Sequence, residues 1–341
     1  MSARTGLEPF EVALLEAVER HEAAAGDRVP DDGGPADDDP AHDDPAHDRP
    51  GGGPAAATTQ VLATVEAAAG VGPRYAYPML VDLAVPWRRH LPLVEPLGNV
   101  GTQGDDPPAD ARYTEVRLSP AGRLALAAEQ GAVGPVPFAL VEGTLYRDGT
   151  VPSFAPGAVL EALRTGSADA GPPVLPTGGL VEGDVEGLLA GRPARIRLVC
   201  RVVRERRPGR DVLVVTEVPL GANPDEVVRM VADRHDAEVR GPRAVRYADY
   251  LPEGEREVPD LRPARHPFLA DVRDETSSAV GRRIVVVLAE GADPVDALAW
   301  LRDVWPVSID VDWRLPAPQA ERLAGWDRGD GTGLDALAAL L

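Results

Sequence analysis

Residues 105–120 read DDPPADARYTEVRLSP, with Arg112 directly before Tyr113 at the end of a Gly-, Asp- and Pro-rich loop. Tyrosine accounts for only 6 of 341 residues, so one placed beside a cation raises a chemical question. A phenol titrates at about 10 and needs help to attack anything at neutral pH. A neighbouring guanidinium supplies that help by favouring the phenolate and by neutralising charge on a phosphoryl transition state. Phenolate also leaves more readily than an aliphatic alkoxide, so a tyrosyl phosphodiester can be attacked in turn and resealed. The competing reading is an aromatic plug, the ordinary use of a tyrosine.

The elements around the pair are legible from pattern. GLEPFEVALLEAVERHEAAAG, residues 6–26, predicts a helix with Pro9 in its first turn and Gly26 as its stop. Residues 59–95 predict two helical pieces, broken at Val71–Pro73 and at Val85–Pro86. In the second half, ARIRLVCRVVRER and RDVLVVTEVP read as a hairpin across RPGR. Asn223-Pro224 and Asp293-Pro294 each open a helix, and RRIVVVLAE and VSIDVDWRL read as strands. This order predicts an α+β fold with helices on a sheet, interrupted by an irregular insertion over 236–268.

Composition narrows the function. A chain of 341 residues with 44% hydrophobic content suits two domains with real cores, and 4% aromatics point to cores of Val, Leu and Ala. The single cysteine, Cys200, excludes an internal disulfide framework and a Cys-based zinc site, and reads as inert packing. There is no membrane-spanning apolar run and no signal-peptide pattern, so the expectation is a cytoplasmic protein. The net charge of -20 argues against indiscriminate nucleic-acid binding.

That charge is uneven. Between Asp27 and Arg49 nine aspartates face two arginines, whereas between Arg192 and Arg210 eight arginines face Glu205 alone. Lysine is absent, so every permanent cation is a guanidinium suited to bidentate phosphate or carboxylate contacts. The first stretch reads as an acidic tether; its His42 and His47 could hold a divalent metal weakly. Arg195, Arg197 and Arg201 form a stripe that either touches a polyanion or pairs with the chain's own acids. The glycines of GNVGTQGDDPP match neither the dinucleotide fingerprint nor the P-loop.

The run YPMLVDLAVPWRRHLPLVEPLGNVGTQGDDPPADARYTEVRLSP, Tyr77 to Pro120, resembles the breakage–reunion region of the A subunits of bacterial type IIA DNA topoisomerases, gyrase and topoisomerase IV. LPTGGLVEGDVEG, VLVVTEVP and LADVRDETSS are similar to the family's tower segments, and RTGLEPFEVALLEAV to its Asp-Gly-Leu-Lys-Pro helix. The resemblance implies Tyr113 as the nucleophile joining a DNA 5′-phosphate, with Arg112 as its electrostatic partner. It implies DNA contacts from Arg88, Arg89 and Arg117 near the loop and from Arg195, Arg197 and Arg201 on the tower. It implies no intrinsic cofactor or metal, with Mg²⁺ and ATP brought by a gyrase B or topoisomerase IV B-like subunit.

The organisation implied is an N-terminal helix over 1–26 and an acidic linker over 27–58. A winged-helix-type breakage–reunion domain follows over 59–165, then a tower-like α+β domain over 166–316 and a short tail over 317–341. GWDRGDGTGLDALAALL looks like the approach to the family's long coiled coil, so the coiled-coil gate and C-terminal propeller are expected to be absent. A homodimer is left open.

The departures fall on the chemistry. Where the family has His-Pro-His-Gly-Asp, residues 69–73 read AGVGP, so Ala69 and Val71 replace its histidines. Its N-terminal cations become Glu8, Glu11, Val12 and Ala13, Asp82 replaces an arginine, and its isoleucine segment shortens to TLYRDG. Carboxylates facing phosphates weaken DNA binding. Two readings follow: a shortened A-like subunit that breaks and reseals DNA through Tyr113, or a degenerate paralogue acting as a regulatory partner or DNA mimic.

Overall fold

The computed structural model describes residues 2–26, 54–142, 152–240, 267–277 and 281–341. Most of the acidic segment with His42 and His47, the TLYRDG stretch, and 241–266 of the expected insertion lie outside them. The fold is α+β, built on three small antiparallel sheets.

The first sheet has the order β1 (Ala56–Ala57), β3 (Glu115–Leu118), β2 (Val94–Leu97). It packs with α1 (Pro9–Gly26), α2 (Thr58–Ala69), α3 (Pro73–Ala84) and α4 (Pro120–Glu129) around Leu14, Leu62, Leu80, Leu93, Leu126 and Phe138. The local sequence explains these helices. Gly70 ends α2 in the left-handed conformation at φ 68°, and Ser119 caps α4 by accepting the Gly122 N–H, with Pro120 at the first position. Gly122 has no alternative, because a Cβ there would collide with the Leu93 carbonyl.

The second sheet orders β10 (Ser308–Trp313), β5 (Ala194–Val199), β4 (Leu180–Gly183). Short helices α5 (Phe138–Val141), α6 (Pro156–Thr165), α7 (Val185–Leu189) and α10 (Gln319–Ala324) accompany its core of Phe154, Leu163, Leu188 and Ile196. The third sheet orders β6 (Arg201–Arg207), β7 (Arg210–Glu217), β9 (Ile284–Leu288), β8 (Leu269–Asp274). It carries α8 (Pro224–Arg240) and α9 (Pro294–Arg302) over Val215, Val227, Ile284 and Leu301. The last helix, α11 (Thr332–Leu340), places Leu337 in the first core and Leu334 in the second. No described helix is long and apolar enough to cross a membrane.

Four expectations change. The run 194–206 is two strands in different sheets, parting at Cys200, so the expected single layer is two sheets. Leu198, Val199 and Cys200 are buried in succession, which breaks the period of two and lets the chain cross from one sheet to the next. Residues 85–95 are not helical: the extended conformation at Val85, just before Pro86, ends α3, and Val94–Leu97 pair with β3. The end of the acidic segment supplies β1 rather than linker. Finally, α8 continues to Arg240, into the expected insertion.

Glu22, buried on α1, ties this first unit together. Its carboxylate accepts the Leu118 N–H at 2.7 Å and Arg123 at 3.1 and 3.3 Å. Glu22→Ala strands a buried strand N–H and is expected to cost about 2–3 kcal/mol, against about 1 kcal/mol for Glu22→Gln, which can still accept that bond. Urea unfolding of the two variants checks this; equal losses would show that the N–H finds another partner.

Candidate functional site

Tyr113 closes a single 3₁₀ turn, Ala111–Tyr113, between the glycine loop and β3. Asp110 caps it: its side chain accepts the Arg112 N–H at 3.1 Å, and its carbonyl accepts the Tyr113 N–H at 2.9 Å. The next residue, Thr114, is buried and donates its hydroxyl to Thr58 Oγ1 at 2.9 Å, while its carbonyl accepts the Thr58 N–H at 3.2 Å. With Thr114 fixed inward, Tyr113 points out and is 69% exposed. The turn's outer side is closed by Gly98, at φ 97°, where a Cβ would lie 2.9 Å from the Tyr113 carbonyl oxygen.

Arg112 lies beside the phenol but over its face, with Cζ 5.3 Å from the ring centroid. Its Nη2 donates to Asp110 Oδ2 at 3.0 Å. That hydrogen bond holds the Asp110 carboxyl below the usual carboxylate range and pushes the Arg112 guanidinium up. The geometry therefore offers an exposed phenol, a permanent cation stacked on it, and an acid restraining that cation. Asp110 was missed as a participant; its place two residues before Arg112, at a turn start, is the Asx-turn signal that could have found it.

The other arginines have partners. Arg88 is 3.6 Å from Asp82. Arg89, with only 14% of its side chain exposed, pairs with Glu11. Glu11 also accepts the Glu8 N–H at 2.9 Å, the reach-back of a capping box, a signal present in the Glu8–Glu11 spacing. Arg117 donates to Glu95 across β3 and β2 at 2.7 Å. On β5, Arg195 and Arg197 share Asp310 at 3.3 and 3.1 Å, and on β6 Arg201 donates to the Gly178 carbonyl at 3.3 Å. Only Arg112 of the sequence-derived set is brought against Tyr113 by a contact of its own. Among the described residues no three His, Cys, Asp or Glu converge to hold a metal ion.

Beside the Arg89 pair lies Glu142, buried, accepting the backbone N–H groups of His90 at 3.1 Å and Leu91 at 2.9 Å. Burial raises its carboxyl above its ordinary 4.5, only partly offset by Arg89 and the two backbone bonds. A raised folded-state value gives a contribution fully present below pH 4.5 and lost as pH rises through the folded value. Glu142→Gln is therefore expected to flatten the fall in unfolding free energy as pH rises above 4.5. Parallel pH profiles for variant and unmodified protein would contradict it.

No family model matches the chain. It is 30% identical over 263 residues to the A subunit of DNA gyrase from Streptomyces coelicolor, an overlap covering 63% of this chain and 27% of that relative. Against the gyrase A subunit of Mycobacterium tuberculosis it is 27% identical over 259 residues, with the same coverage. Against the A subunit of DNA topoisomerase 4 from Streptococcus pyogenes it is 26% identical over 283 residues, covering 71% of this chain and 30% of that relative. The chain thus spans little more than a quarter of the length of the gyrase subunits it matches.

Proposed function

We propose that this chain, a distant homologue of the A subunits of DNA gyrase and topoisomerase IV, acts on DNA through a transient tyrosyl phosphodiester at Tyr113. The observation that carries this reading is an exposed phenol on a turn locked by Asp110, Thr114 and Gly98, with Arg112 stacked upon it. In the step, Tyr113 Oη bonds to a backbone phosphorus and the P–O3′ bond breaks. The phenol proton ends on the departing 3′ oxygen, leaving the 5′-phosphate on the protein. The reverse attack by the 3′-hydroxyl reseals the strand. Arg112 supplies charge to the phosphoryl oxygens once a phosphate draws it from Asp110.

In this reading residues 59–165 serve as the winged-helix-type unit that presents Tyr113, and 166–316 as a tower-like support. A B-like subunit brings Mg²⁺ and ATP, and a homodimer would pair two strand breaks. The protein would work in the cytoplasm, on the nucleoid. A covalent-trapping assay with supercoiled plasmid, Mg²⁺ and a candidate B subunit tests it. Tyr113→Phe should abolish protein-linked breaks, and Arg112→Ala should lower them about a hundredfold or more. Breaks that persist in Tyr113→Phe would overturn the assignment.

One set of contacts favours a second reading, a partner-binding paralogue without cleavage activity: Arg89, Arg117, Arg195 and Arg197 all spend their charge on the chain's own carboxylates. Under either reading the isolated chain is a poor DNA binder, with few counterions to release. The plot of log affinity against log salt should have a slope shallower than about -3, whereas six or more phosphate contacts would give about -5 or steeper. A salt-titrated gel shift measures it.

A further inference from the structure

The glycine loop leading to Tyr113 is held at both ends. At its base, Tyr77 Oη donates to the Ala109 carbonyl at 2.8 Å, and the Ala109 N–H donates to the Asn99 carbonyl at 3.0 Å. At its tip, the loop meets the start of α8, more than a hundred residues away in sequence. The Asp105 N–H donates to Asp225 Oδ2 at 2.8 Å, and Asn223 Nδ2 donates to Asp105 Oδ1. Asn223 works in both directions, since its Oδ1 caps α8 by accepting the Asp225 N–H at 2.9 Å. Arg282 Nη2 donates to Gln103 Oε1 at 2.9 Å, from the turn that enters β9.

Gly104 makes this approach possible, because a Cβ at that position would collide with the Asp225 carboxylate. The glycine thus leaves clearance for the Asp225–Asp105 bond. Arg282 is only partly exposed, with Glu217, Asp274 and Asp225 as its electrostatic neighbours. Its observed contact with the loop is the Gln103 hydrogen bond.

We propose that Asn223, Asp225 and Arg282 are positioning residues that latch the tip of the Tyr113 loop to the four-stranded unit, so that this unit sets where the phenol stands. The proposal rests on the reading of Tyr113 as nucleophile for its catalytic consequence, but the latch itself is independent of that reading. A loop pinned only at its base would let the 3₁₀ turn breathe with every motion of residues 99–108. Pinned at the tip as well, it holds the phenol in one place relative to a bound strand, which is what an in-line displacement requires.

Hydrogen exchange of the 99–113 amides, measured alongside covalent trapping, tests this on the full chain. Asn223→Asp keeps the cap on α8 but removes the donor and sets a carboxylate against Asp105; Gly104→Ala forces Asp225 away. Both are expected to speed exchange of these amides about tenfold or more. Both should also lower the rate of covalent-complex formation without changing the DNA concentration that half-saturates it. The swap Asn223→Asp with Asp105→Asn re-forms the bond with its direction reversed and should restore slow exchange. Unchanged exchange in Asn223→Asp, or a rise that the swap leaves in place, overturns the latch. Exchange decides the latch by itself, and a chain that never forms a covalent complex sinks the nucleophile reading while leaving the exchange result intact.

Discussion

Thr114 is 3% exposed and hydrogen-bonded to Thr58, and that buried hydroxyl anchors the end of the turn that carries the neighbouring phenol. A threonine fixed inward beside the start of α2 anchors the last step of the 3₁₀ turn, from which Tyr113 faces solvent. The same carbonyl–amide pairing between Thr114 and Thr58 joins the turn to the β1–α2 junction. Gly98 can then close against the Tyr113 carbonyl only because it lacks a side chain. Exposure of the tyrosine is thus a consequence of packing on its neighbours, and its ring carries no share of the core.

Charge pairing is the second constraint. With 55 acids against 35 cations and no lysine, each guanidinium meets a surplus of carboxylates. The third sheet shows the pattern: Arg204 and Arg206 face Asp211, Arg207 pairs with Glu275, and Arg283 with Glu205. Such pairs are mostly surface pairs of modest worth to stability. Their larger effect is on recognition, since a guanidinium already bound to a carboxylate must give up that partner before it can take a phosphate. Glu11 illustrates the point. Its carboxylate takes Arg89 largely out of the surface.

Much of this was legible in the sequence where a local rule was enough. Asn223-Pro224 and Asp293-Pro294 predicted the starts of α8 and α9, because a cap and a fixed proline φ act over three residues. Arg-Tyr-Thr-Glu pointed to the relationship with type IIA topoisomerase A subunits. What was not legible depends on distance through space. The split at Cys200 needed the knowledge that β10 and β7 lie in different sheets, although three consecutive buried residues hinted at it. The partners of Arg89 and Arg117 come from elements 78 and 22 residues away, which no spacing rule connects. Asp105 and Asn223 are 118 residues apart and meet only after both units fold.

The proposed chemistry centres on one oxygen, that of Tyr113. Its most direct test is to trap the protein on DNA with Mg²⁺ and a B-like subunit, digest both, and locate the nucleotide by tandem mass spectrometry. A single adduct is expected, joined through a 5′-phosphate to the phenolic oxygen of Tyr113. An adduct on Tyr75, which is equally exposed at 69%, or no adduct on any tyrosine, would contradict it.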